Sequence, residues 1–232
     1  MLFEVPFFYM KKIFESVIEL LYPSACIICD AKSPNYICEK CNQRIKKIEA
    51  NTFLNEEDDN NIDRSYKYLY YIFLYEKIIR KIMIDYKFFS KPYIANFFSR
   101  KISSNRYLCD IIESYDCIIP VPMSPYKEKL RGYNQTKLVT NILSRYLKIP
   151  QVKPLKRVNN SLTQSSLNKY QRKTNIEGAF YIEENQNIQG KKVILLDDIY
   201  TTGNTIEECS HLLKKAGAKE IFVIILAKDF MK

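Results

Sequence analysis

The stretch "VILLDDIYTTGNT", Val193 to Thr205, decides how this chain is read. Val193, Ile194, Leu195 and Leu196 run without polar alternation, the pattern of a strand buried on both faces. Asp197 and Asp198 follow where that strand should emerge. Like charges this close resist joint ionisation, so the pair needs a reason to stand at the end of a buried strand. Beyond it, Gly203 permits a tight turn with close backbone approach. Thr201, Thr202 and Thr205 offer hydroxyls, and a helical pattern opens near Asn204. In open α/β sheets, ligands sit beyond the carboxyl ends of the strands. A helix starting there aims free N–H groups and its dipole at the loop, which makes a cup for an anion. The acids suit vicinal hydroxyls and the cup suits a phosphate, so a sugar phosphate satisfies both halves. An acid pair also holds Mg²⁺, and an ordinary strand-to-helix turn would read the same way. The glycine patterns of a P-loop and of a dinucleotide-binding loop are absent from this stretch.

Outward from this stretch the elements repeat. "IFVIILA", Ile221–Ala227, is a second buried strand, and "DCIIPVPMSP" enters a proline-rich loop that stops a third near Ile119 to Val121. "YKYLYYIFLY" is aromatic and β-favouring. Helical stripes separate them: Ile78, Ile79, Ile82, Met83 and Tyr86; then Ile94, Phe97, Phe98 and Ile102 after Pro92. Leu138, Val139, Ile142, Leu143, Tyr146 and Leu147 form a third stripe. Ile206, Cys209, Leu212, Leu213 and Ala216 form a fourth, which stops at Gly217. The pattern predicts an α/β domain over 66–232 with a mostly parallel sheet flanked by helices. Residues 157–175, "RVNNSLTQSSLNKYQRKTN", read as a long polar loop, of the kind that is functional or mobile.

Upstream, "CIICDAKSPNYICEKC" sets Cys26, Cys29, Cys38 and Cys41 as two C-x-x-C pairs. Each pair brings two thiolates from one turn to one ion, and two pairs complete a tetrahedron, which points to structural Zn²⁺. A closed set of four thiolates leaves no place for substrate. With Met10, Ile13, Phe14, Val17, Ile18 and Leu21 on one face of an amphipathic helix, residues 1–48 read as a small zinc module. Residues 49–65, "EANTFLNEEDDNNIDRS", read as an acidic linker.

The chain carries 36 Lys+Arg against 26 Asp+Glu, a net charge of +10. A field of that sign favours phosphates, nucleotides and nucleic acid over cationic ligands. Seven cysteines and one histidine exclude a metal site built on several histidines, and the odd cysteine count suits a reducing compartment. Cys109, Cys117 and Cys209 sit in apolar patterns as core residues, and His211 is read as structural. No apolar run is long enough to cross a bilayer, and charges interrupt the N-terminal apolar stretch, so neither an integral membrane protein nor a cleavable signal is expected.

The central stretch resembles the motif that binds phosphoribosyl pyrophosphate (PRPP) in type I phosphoribosyltransferases: apolar strand, two acids, then a T-T-G-x-T loop. Around it the chain resembles the ComF family (competence protein F, ComFC/GntX-like). "CIIC…CEKC" matches that family's finger and "YEKIIRKIMIDYKF" its first helix. "IIPVPMSPYKEKLRGYNQ" matches its pyrophosphate-side loop and "LTQSSLNKYQRKTNIEGAF" its mobile loop. Two departures stand out: Phe88 replaces glycine and Tyr133 replaces phenylalanine. The resemblance implies a type I phosphoribosyltransferase-like fold with Asp197 and Asp198 on the ribose hydroxyls. Thr201, Thr202, Gly203, Asn204 and Thr205 would hold the phosphate. Lys87 and Arg131, with Asn134 and Gln135, would face the pyrophosphate, with Mg²⁺ bridging. Thr163 and Gln164 would close over the site. Asp197, Asp198 and Arg131 are then the residues that would carry any catalysis. The resemblance further implies a part in DNA uptake, with single-stranded DNA handled on the cytoplasmic side, peripheral to the inner face of the membrane. Two alternatives remain: a transferase acting on an unidentified acceptor, and a zinc-finger scaffold for a DNA helicase or translocase.

Overall fold

Unbroken runs of Ile, Val and Leu build the centre of the molecule, because only a strand covered on both faces buries every residue in turn. In the computed structural model, which describes residues 25–33, 36–54, 64–158, 178–183 and 188–229, the chain divides into two compact units, Met1–Ile48 and Glu49–Lys232.

The larger unit is organised around a five-stranded sheet. Its strands are β1 (Glu49–Phe53), β2 (Tyr68–Leu74), β3 (Cys117–Pro120), β6 (Lys192–Tyr200) and β7 (Glu220–Lys228), in the spatial order β1-β2-β7-β6-β3. β1 pairs antiparallel with β2, and the other pairs are parallel. Pro120 ends β3, an edge strand of this sheet, where a missing N–H is tolerated. The short strands β4 (Leu155–Arg157) and β5 (Phe180–Ile182) form a separate antiparallel pair.

Strand alternation sorts the two faces. Leu69, Tyr71, Cys117, Ile119, Val193, Leu195, Val223 and Ile225 join one core with Leu155, Phe180 and the buried stripe Ile206, Cys209 and Leu213 of helix α7 (Asn204–Lys215). The buried Ile118, Ile194, Leu196, Phe222 and Ile224 belong to the other face. Of the helices α2 (Lys77–Phe88), α3 (Ile94–Ser103), α4 (Arg106–Glu113) and α6 (Gln135–Leu147), α6 packs on β3 and β6, and α3 and α4 pack on α6. Short α5 (Pro125–Arg131) buries none of its residues.

The mostly parallel α/β sheet stands as expected, and four details differ. Glu49–Phe53 is a strand and not linker, because its backbone completes the free edge of β2. α4 lies outside the expected helical stripes; Asn105 caps it, accepting from the Leu108 N–H at 3.1 Å. Tyr146 is 69% exposed, because α6 turns Gln135, Thr136, Val139, Thr140 and Leu143 inward. His211 lies exposed on α7. The expected helix over 10–21 and the loop residues Thr163 and Gln164 fall outside the described residues. Among those described, no helix is long and apolar enough to cross a membrane.

In the smaller unit, a turn closes on Cys26, whose N–H donates to the Ala31 carbonyl at 2.7 Å and whose carbonyl accepts from Asp30 at 2.9 Å. Cys38 stands at the N-cap of helix α1 (Glu39–Lys46), and Cys41 and Ile45 are its buried residues.

Candidate functional site

Pairing with β3 stops at Leu196, β6 runs on through the two aspartates to Tyr200 beside β7, and the pleat sends the two acids apart. Asp198 turns toward α2, where its carboxylate accepts from the Lys87 ammonium at 2.8 Å, both side chains about one-fifth exposed. Asp197 is 9% exposed and accepts the Asp198 N–H at 2.8 Å. Burial first, and then the charge of Asp198, push Asp197 up from 3.8 to about 7, while Lys87 and Arg157 pull the other way. Charge on Asp197 in turn adds to the burial that raises the Cys209 thiol on α7. Adjacent acids therefore coexist because one is paired on the α2 side and the other, on the α7 side, holds its proton more tightly than an ordinary carboxyl.

A carboxyl whose proton is held more tightly when folded contributes stability that is complete below about pH 4. That contribution is lost as pH rises to about 7, with no further change above. Asp197→Asn keeps the acceptor for the Asp198 N–H and removes this slope. The variant is expected to be more stable than the parent chain above pH 7, by roughly a few kcal/mol, and equal to it near pH 4. Urea melts at the two pH values check this; an unstabilised variant at high pH would show that Asp197 carries no buried-charge penalty.

The loop after β6 is exposed at Thr201, Thr202 and Asn204. Gly203 is the N-cap of α7 with φ +82°, and no side chain caps the helix. An added Cβ at Gly203 would meet the Tyr200 hydroxyl within contact distance, besides the strain of that φ. That hydroxyl accepts from the Arg64 guanidinium at 3.0 Å, and Arg64 also lies 5.1 Å from the Tyr66 ring centroid. Gly203→Ala is expected to lower stability by about 1–3 kcal/mol and to open the loop, read by denaturant melts and by protease cutting near residue 203.

Cations gather at this end of the sheet. Arg131 ends α5, with its guanidinium 5.6 Å from the Phe88 ring centroid. Burial lowers its pKa from the ordinary value and the charge of Asp198 opposes that, so the two groups sense each other. Arg157 on β4 lies 5.0 Å from the Phe180 ring centroid. Lys228, 5% exposed at the end of β7, lies 5.6 Å and 5.9 Å from the Tyr71 and Tyr200 rings. Arg64, Arg157 and Lys228 are not among the residues expected from sequence; only Arg157, at the head of the polar loop, stands in a segment marked for function. Asn134 and Gln135 are committed to the fold. Asn134 caps α6 and donates to the Val121 carbonyl at 3.3 Å; Gln135 donates to the Tyr86 carbonyl at 3.5 Å and accepts at its own carbonyl from the Tyr86 hydroxyl at 2.9 Å. Tyr133, whose hydroxyl donates to the Tyr86 carbonyl at 2.5 Å and whose ring stacks on Tyr86 at 5.7 Å, fixes the turn between α5 and α6. A cleft of about 170 Å³ beside Lys67 and Lys219 is a poorer candidate, since Lys67 is already paired with Glu220 at 2.7 Å.

In the smaller unit, the sulfurs of Cys26, Cys29, Cys38 and Cys41 lie within 4.8 Å of one another. Cys29 and Cys38 are 3.7 Å apart and none of the four is in a disulfide. Four sulfurs about 2.3 Å from one zinc ion stand about 3.8 Å from each other, so the cluster could hold that ion. Burial pushes Cys41 up to about 12, whereas backbone N–H donors outweigh burial at Cys26 and hold it near 6. A divalent cation favours thiolates outright and would override this split.

A model of the phosphoribosyl transferase domain matches residues 138–229, which run from α6 to the end of β7. Competence protein F of Haemophilus influenzae is 41% identical over 115 residues, 49% of this chain and 50% of that protein. Competence protein ComFC of Streptococcus pneumoniae is 32% identical over 160 residues, 68% of this chain and 66% of that protein. The chain thus spans about half the length of the first relative. Among solved structures, adenine phosphoribosyltransferase of Thermoanaerobacter pseudethanolicus is 16% identical, with a TM-score of 0.39, covering 81% of this chain and 99% of that one.

Proposed function

Since the chain carries a phosphoribosyl transferase domain and is homologous to the competence F and ComFC proteins, we propose that it binds PRPP or a related ribose phosphate at the end of β6, in the service of DNA uptake. The observation that carries this reading is the division of labour at that strand end. Asp197 and Asp198 supply acceptors for the ribose hydroxyls, and the loop from Thr201 to Thr205 leads into the uncapped N-terminus of α7, which suits the phosphate.

The pyrophosphate falls to Lys87 and Arg131. Lys87 is paired with Asp198, so ligand entry exchanges that partner for a phosphate and frees the carboxylate for a hydroxyl. Arg131 presents a planar fork suited to two phosphate oxygens. Mg²⁺ would neutralise charge on the pyrophosphate. The Lys87 ammonium already occupies Asp198, which favours entry of the ion together with PRPP. Should a transfer occur, the anomeric carbon becomes cation-like as pyrophosphate leaves, and the site contributes by positioning and by stabilising the leaving charge. The four cysteines hold zinc as a structural staple.

The basic chain, acting on the cytoplasmic side of the membrane, would engage single-stranded DNA. A scaffold role, with the cysteine unit docking a helicase or translocase, is the remaining alternative. Retention of labelled PRPP on the protein, dependent on Mg²⁺ and lost when both aspartates become asparagine, tests the site. Assay of released pyrophosphate with candidate acceptors separates binding from transfer. No retention at millimolar PRPP refutes the reading.

A further inference from the structure

Away from the aspartates, where β2 and β7 begin, the chain forms a second concave place. A cleft of about 170 Å³ lies between the bend at residues 64–67, the last turn of α7 and the start of β7. Asp197 pairs with Ile225, so at about 3.3 Å per residue Glu220 stands about 17 Å back along β7 from the acids. Arg64, Lys67, Lys214 and Lys219 line the cleft, and Glu220 is the one carboxylate among its described residues. Both Glu220 oxygens are occupied: one accepts from Lys67 at 2.7 Å and the other from the Tyr115 hydroxyl at 2.8 Å. Arg64 donates to the neutral Tyr200 hydroxyl, which leaves its charge uncompensated by that contact. Lys214 and Lys219 are exposed, and no ion pair among the described residues holds either ammonium. Tyr66, 7% exposed, also lines the cleft, and its buried hydroxyl has no hydrogen-bond partner among the described residues. A buried donor left unspent is uncommon in folded proteins.

We propose that this cleft is a second anion site, separate from the strand-end aspartates, which takes a small free phosphate. Cations from three segments converge on one concavity, and the occupied Glu220 leaves no carboxylate for sugar hydroxyls, so the chemistry selects an anion alone. The volume lies below the roughly 300–1,000 Å³ of pockets that enclose drug-sized ligands, which suits a phosphate with its waters and not a whole nucleotide. A nucleic-acid backbone is met instead by a groove that tracks several phosphates in a row. Lysines in the last turn of a helix suit its dipole, and that accounts for Lys214 and Lys215 alike. It does not account for Arg64, Lys67 and Lys219, which come from other segments. Nor does the negative end of α7 face the cleft uncapped: the Gly217 N–H donates to the Lys214 carbonyl at 2.9 Å and the Ala218 N–H to the Leu213 carbonyl at 3.0 Å. This inference is independent of the ribose-phosphate reading of Asp197 and Asp198.

The experiment titrates the full chain with inorganic phosphate by calorimetry at about 0.15 M chloride, where exposed charges are screened beyond about 8 Å. It compares the parent with two doubly substituted chains of equal net charge. Lys214→Gln with Lys219→Gln removes two cations of the cleft. Lys215→Gln with Lys153→Gln removes two exposed lysines that do not line it. The expected result is that the first pair weakens one phosphate-binding step by at least about tenfold, as the loss of two charge-assisted contacts implies, and that the second pair leaves it within about twofold. Equal weakening by both pairs reduces the effect to net charge and overturns the proposal. Unchanged affinity in the first pair overturns it, and so does binding by the parent that vanishes at this salt, the mark of an adventitious ion only. A short single-stranded oligonucleotide that displaces the phosphate held by Lys214 and Lys219 assigns the cleft to a nucleic-acid backbone and likewise overturns it. The melting shift with PRPP and Mg²⁺ is read on the same parent sample. Its absence removes the strand-end site while a phosphate step dependent on Lys214 and Lys219 survives; its presence without that dependence removes the cleft alone.

Discussion

PRPP with Mg²⁺ is expected to raise the melting temperature of the chain by about 5–10 °C when the ligand stands near 100 times its dissociation constant, and Asp197→Asn with Asp198→Asn to remove the whole shift. The size follows from mass action: that excess adds about 2.7 kcal/mol to the folded state. The loss follows from the geometry. Amides keep the shape, and the amide introduced by Asp197→Asn retains an acceptor for the neighbouring N–H. The pair then no longer presents carboxylates to two hydroxyls, and Lys87 loses the anion that holds it at 2.8 Å. Since the same change relieves the buried Asp197, the doubly substituted chain should melt no lower than its parent at pH 8 without ligand. A melting temperature that collapses in the absence of PRPP would mean that the pair is structural. An unchanged parent chain at millimolar PRPP would leave the site without its ligand.

Removal of zinc by a strong chelator is expected to unfold the cysteine-bearing unit and to leave the sheet domain intact. In the smaller unit the buried apolar residues among those described are Cys26, Ile27, Cys41 and Ile45, too few to outweigh the entropy of ordering the backbone. Structural zinc sites contribute about 10–16 kcal/mol of apparent folding free energy, so its removal should be decisive there. One zinc per chain should be released. Cys26→Ser with Cys38→Ser should retain none, and protease should then cut between residues 25 and 48 while 64–158 stays protected. Full protection of the cysteine unit in chelator would show that it folds without metal. A scaffold role predicts, in addition, that the serine variant loses its protein partner while keeping the PRPP-dependent shift.

The strand, acids, loop and helix of 193–215 are legible in the sequence because each depends on neighbours a few residues away. Burial on both faces shows as an unbroken apolar run, the turn as a glycine, and the helix as a period of 3.6. The cysteine cluster is legible for the same reason, since two C-x-x-C turns need only meet. Where the local pattern misleads, a distant partner is responsible. Glu49–Phe53 carries acid and asparagine that suit a linker, yet an open edge on β2 recruits it as a strand. Tyr146 fits an inward stripe by spacing, but polar Gln135, Thr136 and Thr140 take the buried face, because their groups find partners there. The Gln135 side chain reaches Tyr86, and Thr136 Oγ1 donates to the Val121 carbonyl at 2.8 Å.

By itself, then, the sequence determined the α/β class, the strand-to-helix turn at Gly203 and the four-cysteine cluster, all of them consequences of spacing along one segment. Only the tertiary structure decided who faces whom at the site. Lys87 meets Asp198 across 111 residues, Arg157 comes to bear on Asp197, Arg131 braces Phe88, and Asn134 is drawn away to cap α6. Such pairs are set by strand order and by which face each helix covers. That order places β6 between β7 and β3, and no spacing within a single segment encodes it.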